Sequence, residues 1–365
     1  MTTARVAVIP GDGIGVEVVD QGIKLLEKLE EIDSIKFSFD FFPWGCQYYL
    51  KNNQMMPPDG IEILKRYDSI IMGPVGFPGV PDNVSLWGLL LPIRKELDQY
   101  VNLRPSRLLR GMTSPLSGKK PGSFDFCVVR ENTEGEYSNI GGLFKQGTED
   151  EIAVQNSIFT RKGTERIIRY AFDLAVKRSK DSGSEPYVVG ATKSNGINYT
   201  MPFWDRVFRK IAGEYPGVRT DLYHIDALSA YLITRPESFD VIVASNLFGD
   251  ILTDLGGAIS GGIGIAPSGN LNPEGKFPSL FEPVHGSAPD IAGQGIANPI
   301  GMLWSISMYL DHIGLQKAAD LVMEGIQNVS ERGIKTPDLG GRSDTVTTSK
   351  AIIDEFSRLY SKEDC

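Results

Sequence analysis

Short runs of β-branched and apolar residues recur along the chain, and each run ends in a turn or in polar residues. The first, Ala4–Ile9, stops at Pro10-Gly11-Asp12-Gly13 and is followed by a helical pattern up to residue 31. Later runs of the same kind are Ser69–Met72, Phe126–Val129, Val188–Ala191 and Asp240–Ala244. The last of these leads directly into a helical segment from Leu247. Strands that alternate with helices are typical of an α/β protein with a sizeable central sheet.

Other patterns interrupt this alternation. Residues 138–156 lack a helical period and contain several turn residues, which predicts a projecting β arm of the kind used in dimerisation. The apolar stretch Pro299–Leu310 is too short to cross about 30 Å of hydrocarbon, so it predicts a buried helix rather than a membrane span. Roughly the last 20 residues have the pattern of an amphipathic helix with a charged, frayed end.

Composition narrows the class of protein. A chain of 365 residues is long enough for two domains. Its composition, with 41% hydrophobic and 23% charged residues, excludes a disordered or fibrous protein. The formal charge of −9 argues against nucleic acid or an anionic membrane as the main partner, although local arginines can still bind an anionic substrate. Cys46, Cys127 and Cys365 form no CxxC pair, which disfavours a disulfide framework or a zinc site. With no signal-peptide core at the N-terminus, these features favour the cytoplasm.

Asp250 and Asp254 are four residues apart on the helix predicted after Asn246, so they share one helix face. Neighbouring leucines and isoleucine make this face unlike an ordinary solvated one, and two carboxylates there repel each other unless a cation compensates. Because all the ligands would be oxygens, Mg²⁺ or Mn²⁺ is favoured over zinc. Asp226 is a candidate third ligand. The alternative is a surface pair favoured by the helix dipole.

Four arginines cluster within residues 89–110, namely Arg94, Arg104, Arg107 and Arg110, and Arg104 lies in an extended segment before Pro105. Arg94 follows an apolar run, and Arg130 ends the strand Phe126–Val129. Guanidinium groups bind carboxylates through paired planar hydrogen bonds, so three converging arginines would suit a dicarboxylic acid. The alternative is that each arginine covers apolar surface or pairs with a local acid.

Two glycine-rich segments are candidates for dinucleotide binding. Residues 9–15 place glycines after a strand, but their spacing is G-x-G-x-G and no acid closes a second strand at the usual distance. A standard Rossmann site is therefore not predicted. The segment from His285 to Asn298 is the better candidate, because its small residues let backbone N–H groups approach adenine and phosphates. There Asp290 could accept from ribose hydroxyls and repel a 2′-phosphate, which favours NAD over NADP. The alternative is an ordinary glycine-rich loop.

Taken together, these segments resemble the β-decarboxylating dehydrogenase family of isopropylmalate, isocitrate, homoisocitrate, tartrate and D-malate dehydrogenases. The motifs that carry the resemblance are IPGDGIG (9–15), NLRP (102–105), RENTEGEY (130–137), NLFGDILTDLGG (246–257) and HGSAPDIAGQGIANP (285–299). It implies an isopropylmalate-dehydrogenase-like α/β fold with two domains and a central mixed sheet, not a standard Rossmann fold. The expected cofactor domain comprises 1–103 and 257–365. The expected substrate, metal and dimerisation domain comprises 104–256.

The resemblance also implies roles for individual residues. Arg94, Arg104 and Arg130 are expected to hold the substrate carboxylates. Asp250 and Asp254 are expected to bind Mg²⁺ or Mn²⁺ with Asp226 of the partner subunit, in a homodimer whose active sites are shared. A need for a monovalent cation is left open.

Acid–base and cofactor residues follow from the same motifs. Tyr137 and the partner subunit's Lys193 are expected to transfer protons, and neighbouring positive charges are expected to lower the pKa of Tyr137. The adenosine half of NAD is expected to contact His285, Gly286, Ser287, Ala288, Pro289, Asp290, Ile291 and Asn298.

The stretch before Arg94 distinguishes substrates within the family. Isocitrate enzymes have a serine six residues and an asparagine four residues before this arginine, where this chain has Gly88 and Leu90. Isopropylmalate enzymes usually carry a glutamate seven residues before it, where this chain has Trp87, whose indole would fill the space of an isopropyl group. The segment resembles the tartrate and D-malate branch, and a small 2-hydroxy dicarboxylic acid is the expected substrate. The alternatives are 3-isopropylmalate dehydrogenase and a non-catalytic regulatory subunit of the same fold.

Overall fold

A computed structural model of the chain describes residues 3–363. Its strands are β1 (Thr3–Ile9), β2 (Lys36–Phe41), β3 (Ser69–Met72), β4 (Val101–Arg107), β5 (Asp125–Glu131), β6 (Gly141–Phe144), β7 (Ile152–Gln155), β8 (Tyr187–Thr192), β9 (Arg219–His224), β10 (Val241–Ala244), β11 (Pro267–Leu271) and β12 (Ser279–Pro283). Its α-helices are α1 (Gly15–Ile32), α2 (Cys46–Asn52), α3 (Gly60–Leu64), α4 (Asp82–Ser85), α5 (Leu91–Glu96), α6 (Arg161–Ser182), α7 (Thr200–Ala212), α8 (Ile225–Thr234), α9 (Asn246–Ile259), α10 (Ile300–His312), α11 (Gln316–Glu331) and α12 (Thr345–Glu363).

The chain divides into two compact units. The first contains the residues up to 99, residues 104–124 and the residues from 256 onward, and the second contains 100–103 and 125–255. The predicted boundaries differ from these units mainly in residues 104–124. That segment belongs to the first unit because Arg110 binds Glu324 on α11 and Lys335 donates to the Gly111 carbonyl oxygen.

In the first unit, mostly parallel strands are ordered β2-β1-β3-β12-β11. Only the β11–β12 pair among these strands is antiparallel, so the sheet is mixed as predicted. The residues Val6–Ile9 of β1 are apolar, and their side chains are completely buried. Helix α10 is buried over most of its surface, and α1 approaches it closely at Gly22, where an added Cβ would lie 3.0 Å from the Met302 side chain. The predicted buried helix is thus confirmed.

In the second unit, parallel strands are ordered β5-β10-β8-β9, with α6 and α7 packed against them. The carboxyl ends of parallel strands meet at one edge of a sheet, so the residues after β5, β8, β9 and β10 are brought together there. Residues 141–155 form an antiparallel hairpin of β6 and β7, in the place of the predicted arm. Every residue of its two strands is exposed.

The predicted strands are confirmed, with ends that differ by a few residues at most. A π-helical turn, Leu86–Leu90, lies between α4 and α5 and was not predicted. Along residues 3–363, no helix combines the length and the apolar character that a membrane crossing needs.

Candidate active site

Arg130, Tyr137 and Asp250 converge in the second unit. Arg130 lies near the end of β5, and its Nη1 forms an ion pair with Oδ1 of Asp250 on α9. The Tyr137 hydroxyl donates to the other oxygen of Asp250, Oδ2, over 3.1 Å. The Arg130 guanidinium also lies 5.6 Å from the centre of the Tyr137 ring. A group that binds carboxylates, a phenol and a possible metal ligand therefore share one small volume.

Asp254 lies one helical turn beyond Asp250 on α9 and is exposed. The two carboxylates are on one helix face, as their spacing predicts. Asp226 is not beside them in this chain. Within residues 3–363, no cluster of three or more His, Cys, Asp or Glu side chains is arranged to hold a metal ion.

Lys193 and Asp226 instead pair with each other. Lys193 follows β8, Asp226 begins α8 directly after β9, and these two strands are parallel neighbours with Thr192 opposite His224. The register brings Lys193 Nζ within 2.9 Å of Asp226 Oδ1. Because Lys193 donates to it, the pKa of Asp226 is lowered, and the carboxylate stays ionised at neutral pH.

The predicted lowering of the Tyr137 pKa depends on Arg, Lys and metal charges in a shared site, and the contacts within one chain act in the opposite direction. Burial raises the pKa of its hydroxyl, and the neighbouring Asp250 carboxylate raises it further, while the Arg130 guanidinium opposes the shift. The hydroxyl also donates a hydrogen bond to this negative carboxylate. Tyr137 therefore keeps its proton at neutral pH and is suited to donate it.

Glu131 is a buried acid behind this cluster that was not singled out from the sequence. Its Oε1 accepts from the Thr133 backbone N–H at 2.7 Å, from the Thr133 hydroxyl at 2.8 Å and from the Glu134 N–H at 3.1 Å. These bonds close the turn that leads from Arg130 to Tyr137. Burial raises the pKa of Glu131 to about 7, although its hydrogen bonds to Thr133 oppose the shift.

This pKa predicts a pH-dependent stability. A carboxyl group that titrates near 4.5 when unfolded and near 7 when folded binds its proton more tightly in the native state. Stability is therefore lost as the pH rises from about 4.5 to about 7, by on the order of 3 kcal/mol. Glu131→Gln lacks this titration. The free energy of unfolding of wild type minus that of Glu131→Gln, measured in urea at several pH values, should fall across this window and stay level above it. A level difference from pH 4 to 8 would contradict the shift.

In the first unit, Arg94 is buried on α5, and its Nη2 lies 2.9 Å from Glu282 Oε1 on β12. The Nδ2 of Asn270 on β11 donates to the same oxygen over 2.8 Å. Arg104 on β4 is also buried. Burial fixes the direction of both guanidinium groups, which is what binding a small anion at a defined place requires.

The predicted substrate-selecting residue, Trp87, lies in the π-helical turn immediately before α5. Its ring is half-buried, and Lys95 Nζ lies 4.7 Å from the ring centre. Single π-helical turns are frequent at functional sites, because the extra residue redirects the neighbouring side chains. Gly88 in the same turn packs on Met55, and an added Cβ there would lie 2.6 Å from Met55 Cγ.

A cavity of about 440 Å³ in the first unit contains part of the predicted cofactor motif. His285, Gly286, Ala288, Ile291 and Asn298 line it, together with Ile14, Gly262, Ile263, Gly264, Ile296 and Asp338. Ser287, Pro289 and Asp290 of the motif do not line it. Ser287 is buried, whereas Pro289 and Asp290 are exposed.

His285 lines this cavity, and its ring is largely buried. Its Nδ1 lies 3.0 Å from the Gly286 carbonyl oxygen, which makes Nδ1 the protonated nitrogen. Its Nε2 is enclosed by the protein and has no hydrogen-bond partner in the described part of the chain. Burial lowers the pKa of His285, so the ring is neutral at neutral pH.

The sequence pattern of the family described as isocitrate/isopropylmalate dehydrogenase matches residues 5–355. The chain belongs to this family. A curated relative is 53% identical over 97% of this chain and 98% of its own length, and is named tartrate dehydrogenase/decarboxylase, from Pseudomonas putida. Another, named D-malate dehydrogenase [decarboxylating], from Escherichia coli, is 52% identical over 96% of this chain and 98% of its own length.

The fold agrees with this membership. The crystal structure of isocitrate dehydrogenase from Methylococcus capsulatus matches with a TM-score of 0.85 and 34% identity, over 97% of this chain and 99% of that chain. The predicted isopropylmalate-dehydrogenase-like fold is thereby confirmed. As a member of the isocitrate/isopropylmalate dehydrogenase family, the chain is an oxidoreductase.

The first glycine-rich motif, residues 9–15, packs against the predicted cofactor motif that begins at His285. Gly13 has a φ of +56°, and an added Cβ would lie 2.0 Å from the Ser287 carbonyl oxygen. Ile14 N donates to that oxygen over 2.9 Å. Asp12 is buried and accepts from the backbone N–H groups of Cys46 and Gly76. The Ile14 bond holds this turn against the segment that begins at His285, and the Asp12 bonds fix the turn to residues 46 and 76.

Sequence reasoning missed the acid that lines the cavity. Asp338 Oδ2 accepts from Asn298 Nδ2 over 2.8 Å, and its Oδ1 accepts from the Thr336 hydroxyl over 2.6 Å. It lies in a short 3₁₀ turn, Pro337–Leu339. The only local signal is a turn-forming stretch, TPDLGG (336–341), which gives no indication of what it faces.

Proposed function

We propose that this family member is an NAD- and divalent-metal-dependent dehydrogenase that oxidises the C2 hydroxyl of tartrate or D-malate and converts D-malate to pyruvate and CO₂. The observation that carries the proposal is the convergence of Arg130, Tyr137 and Asp250. The arginine can bind a substrate carboxylate, and the aspartate can bind a hard cation such as Mg²⁺. The protonated phenol can donate its proton to the enolate left by decarboxylation. The names of the two curated relatives support the choice of substrate.

The donor set in α9 fits a divalent cation. Asp250 and Asp254 offer carboxylate oxygens from one helix face, the ligand type that Mg²⁺ and Mn²⁺ prefer. The proposal takes the third carboxylate, Asp226, from a second copy of the chain. A divalent cation held by these carboxylates would supply Lewis acidity, which favours loss of the C2 hydroxyl proton and polarises a carbonyl at C2.

Asp254→Asn is expected to weaken Mn²⁺ binding by about 10-fold or more, because a charged ligand is replaced by a neutral one. Asp254 is chosen for this test because it is exposed. A change of Asp250 would also break its ion pair with Arg130. Titration calorimetry with Mn²⁺ measures the change. Asp311→Asn, at another partly exposed helix position, is the matched control and should bind Mn²⁺ as wild type does. Equal affinity in the Asp254 variant would remove this residue from the metal site.

The cavity of the first unit fits the adenosine half of NAD. Gly262 and Gly286 leave its wall without side chains, and an added Cβ at either position would meet no atom within 4 Å. The neutral ring of His285 forms part of the wall on which an adenine could pack. Asp338 and Asn298 supply further polar atoms. Bound NAD would accept the hydride from C2.

Asp290→Lys is expected to shift cofactor preference toward NADP, because a carboxylate that repels a 2′-phosphate becomes an ammonium that attracts it. The ratio of kcat/KM with NADP to kcat/KM with NAD should rise about 10-fold or more. Asp290 is exposed, so the fold should tolerate the change. Glu274→Lys, an exposed change of the same charge elsewhere in the first unit, is the control. An unchanged ratio would exclude Asp290 from the 2′ position and leave Asp338 as the acid of this cavity.

The remaining roles belong to side chains of this chain. Arg94, Arg104 and Arg130 would bind and orient the substrate carboxylates. Lys193 from the second copy would take the proton of the C2 hydroxyl, and Tyr137 would then protonate C3. The exposed Ile140, Leu143, Phe144 and Ile152 of the hairpin support a homodimer, because an apolar hairpin of this kind gains stability when another surface covers it.

The residues of the turn before Arg94 favour a substrate that has a small substituent at C3. Gly88 cannot become the serine of isocitrate enzymes without moving Met55, and Trp87 occupies the position of the isopropylmalate glutamate. Steady-state kinetics with D-malate, the tartrate isomers, isocitrate and 3-isopropylmalate test this assignment. We expect the largest kcat/KM with D-malate or a tartrate. A larger value with 3-isopropylmalate would favour the rival dehydrogenase, and binding without turnover of any 2-hydroxy dicarboxylate would favour a regulatory subunit.

A further inference from the structure

Asn246, the first residue of α9, holds the guanidinium of Arg130. It is buried, and its Oδ1 accepts from Arg130 Nε over 3.1 Å and from Arg130 Nη2 over 2.7 Å. Its Nδ2 donates to the Glu134 carbonyl oxygen over 3.1 Å. These partners fix the orientation of the amide, since a rotated amide would turn its N–H groups toward the guanidinium and its oxygen toward a carbonyl.

The stem of Arg130 is placed by the same helical turn. An added Cβ at Gly249 would lie 2.6 Å from both Cβ and Cγ of Arg130, so only glycine lets the stem lie against α9. The start of α9 is itself anchored by Glu136. One of its oxygens accepts from the Ser245 hydroxyl over 2.8 Å, and the other accepts from Leu247 N over 3.0 Å. Arg130 is therefore held along its length by a fixed helix end.

The amide of Asn246 holds Arg130 without adding a charge. Arg130 already pairs with the negative Asp250. Asn246 accepts two further guanidinium hydrogen bonds through a neutral oxygen. An aspartate there would give the guanidinium a second carboxylate partner, which would weaken its attraction for an anionic substrate.

We propose that Asn246 is a positioning residue for the substrate carboxylate, and that its neutrality is what the position requires. It orients the Arg130 guanidinium while leaving the positive charge available to the substrate. The inference rests on the proposed function, in which Arg130 binds a carboxylate of D-malate or tartrate. It concerns Asn246 alone and assigns this residue no contact with the reacting atoms.

Asn246→Asp is the direct test. With saturating NAD and Mn²⁺, we expect KM for D-malate to rise about 10- to 100-fold, the usual range for a charge-assisted hydrogen bond. KM for NAD should stay within about 2-fold, because the cofactor cavity is built by other residues. Binding of D-malate to the Mn²⁺-loaded enzyme, measured by calorimetry, should weaken by the same factor as KM rises.

Asn246→Ala separates charge from orientation. It removes the two hydrogen bonds to Arg130 but adds no charge, so KM for D-malate should rise less than in Asn246→Asp. An alanine variant with a KM as high as that of the aspartate variant would overturn the role of neutrality. The alanine variant also keeps the test open if the aspartate variant fails to fold, since a KM equal to that of wild type would overturn the positioning role.

Asn272→Asp is the matched control for the chemical change. Asn272 is also buried; its Nδ2 donates to the Asp98 carbonyl oxygen over 3.0 Å, and its Oδ1 accepts from Lys276 N and Phe277 N. The substitution therefore loses the same kind of donor, but no arginine is involved. A lowered melting temperature with an unchanged KM for D-malate is expected. A rise in KM equal to that of Asn246→Asp would mean that the effect reports lost stability, and would overturn the inference.

Different outcomes overturn the role of Asn246 and the proposed function. If wild type oxidises D-malate or tartrate and Asn246→Asp has an unchanged KM, the role of Asn246 is overturned and the proposed function stands. If wild type neither binds nor oxidises any 2-hydroxy dicarboxylate, the proposed function is overturned and the inference falls with it.

Discussion

Tyr137→Phe is expected to slow D-malate decarboxylation by roughly 10²–10⁴-fold, the usual contribution of a positioned acid. Its hydroxyl donates to Asp250 Oδ2 over 3.1 Å, and burial together with Asp250 raises its pKa. The phenol therefore holds a proton that can be delivered to C3 after CO₂ leaves. Phenylalanine fills the same volume, so melting temperature and affinities for NAD and Mn²⁺ should change little.

Stopped-flow measurement of NADH formation locates the affected step. The Tyr137→Phe enzyme can still form NADH in its first turnover, because hydride transfer from C2 precedes protonation at C3. Tyr215→Phe is the matched control, since it removes a 2.8 Å hydrogen bond from a tyrosine hydroxyl to Asp173 in the same unit. A Tyr137→Phe enzyme with the steady-state rate of wild type would remove Tyr137 from the mechanism.

Mixing two inactive variants, Lys193→Ala and Asp250→Asn, is expected to restore activity. In the proposed homodimer, each site combines Asp250 of one subunit with Lys193 of the other. A mixed dimer then has one site made from two intact halves and one site that carries both changes. Because random exchange makes half of the dimers mixed, about one quarter of the wild-type specific activity should return. Steady-state assays after subunit exchange measure this recovery.

The exchange itself is verified by native mass spectrometry of the mixed dimers. Mixing Lys193→Ala with Lys193→Ala,Asp250→Asn is the control and should restore nothing, because no site can then contain an intact lysine. If verified mixed dimers of the two single variants stay inactive, Lys193 and Asp250 do not serve one shared site. The ion pair of Lys193 with Asp226 would then be a structural contact within the chain.

Much of the fold was predictable because it depends on local pattern. The buried strands are short β-branched runs, such as Ser69–Met72, which the structure reproduces with the same ends. Residues 138–156 lacked a helical period and contained turn residues, and they contain the exposed hairpin. The π-helical turn before α5 was not predictable, because its residues have no pattern that separates it from an ordinary helix.

The candidate site was predictable only in part, for a related reason. Motifs identified Arg130, Tyr137, Asp250 and His285, since residue type and spacing persist in a family. They gave no information on the partners that surround each group. Asp338, which lines the cavity, comes from a turn about 40 residues after the end of the glycine-rich motif.

The sequence by itself determined which elements form, because the hydrophobic period of each segment decides what it can bury. It also determined which residue types are available for chemistry. Only the tertiary structure decided the pKa values of these residues. The pKa of Tyr137 is raised because folding buries its hydroxyl and places Asp250 beside it, and the pKa of Glu131 is raised to about 7 because folding excludes water from it. Both effects depend on burial and on atoms far apart in the chain, which no local pattern encodes.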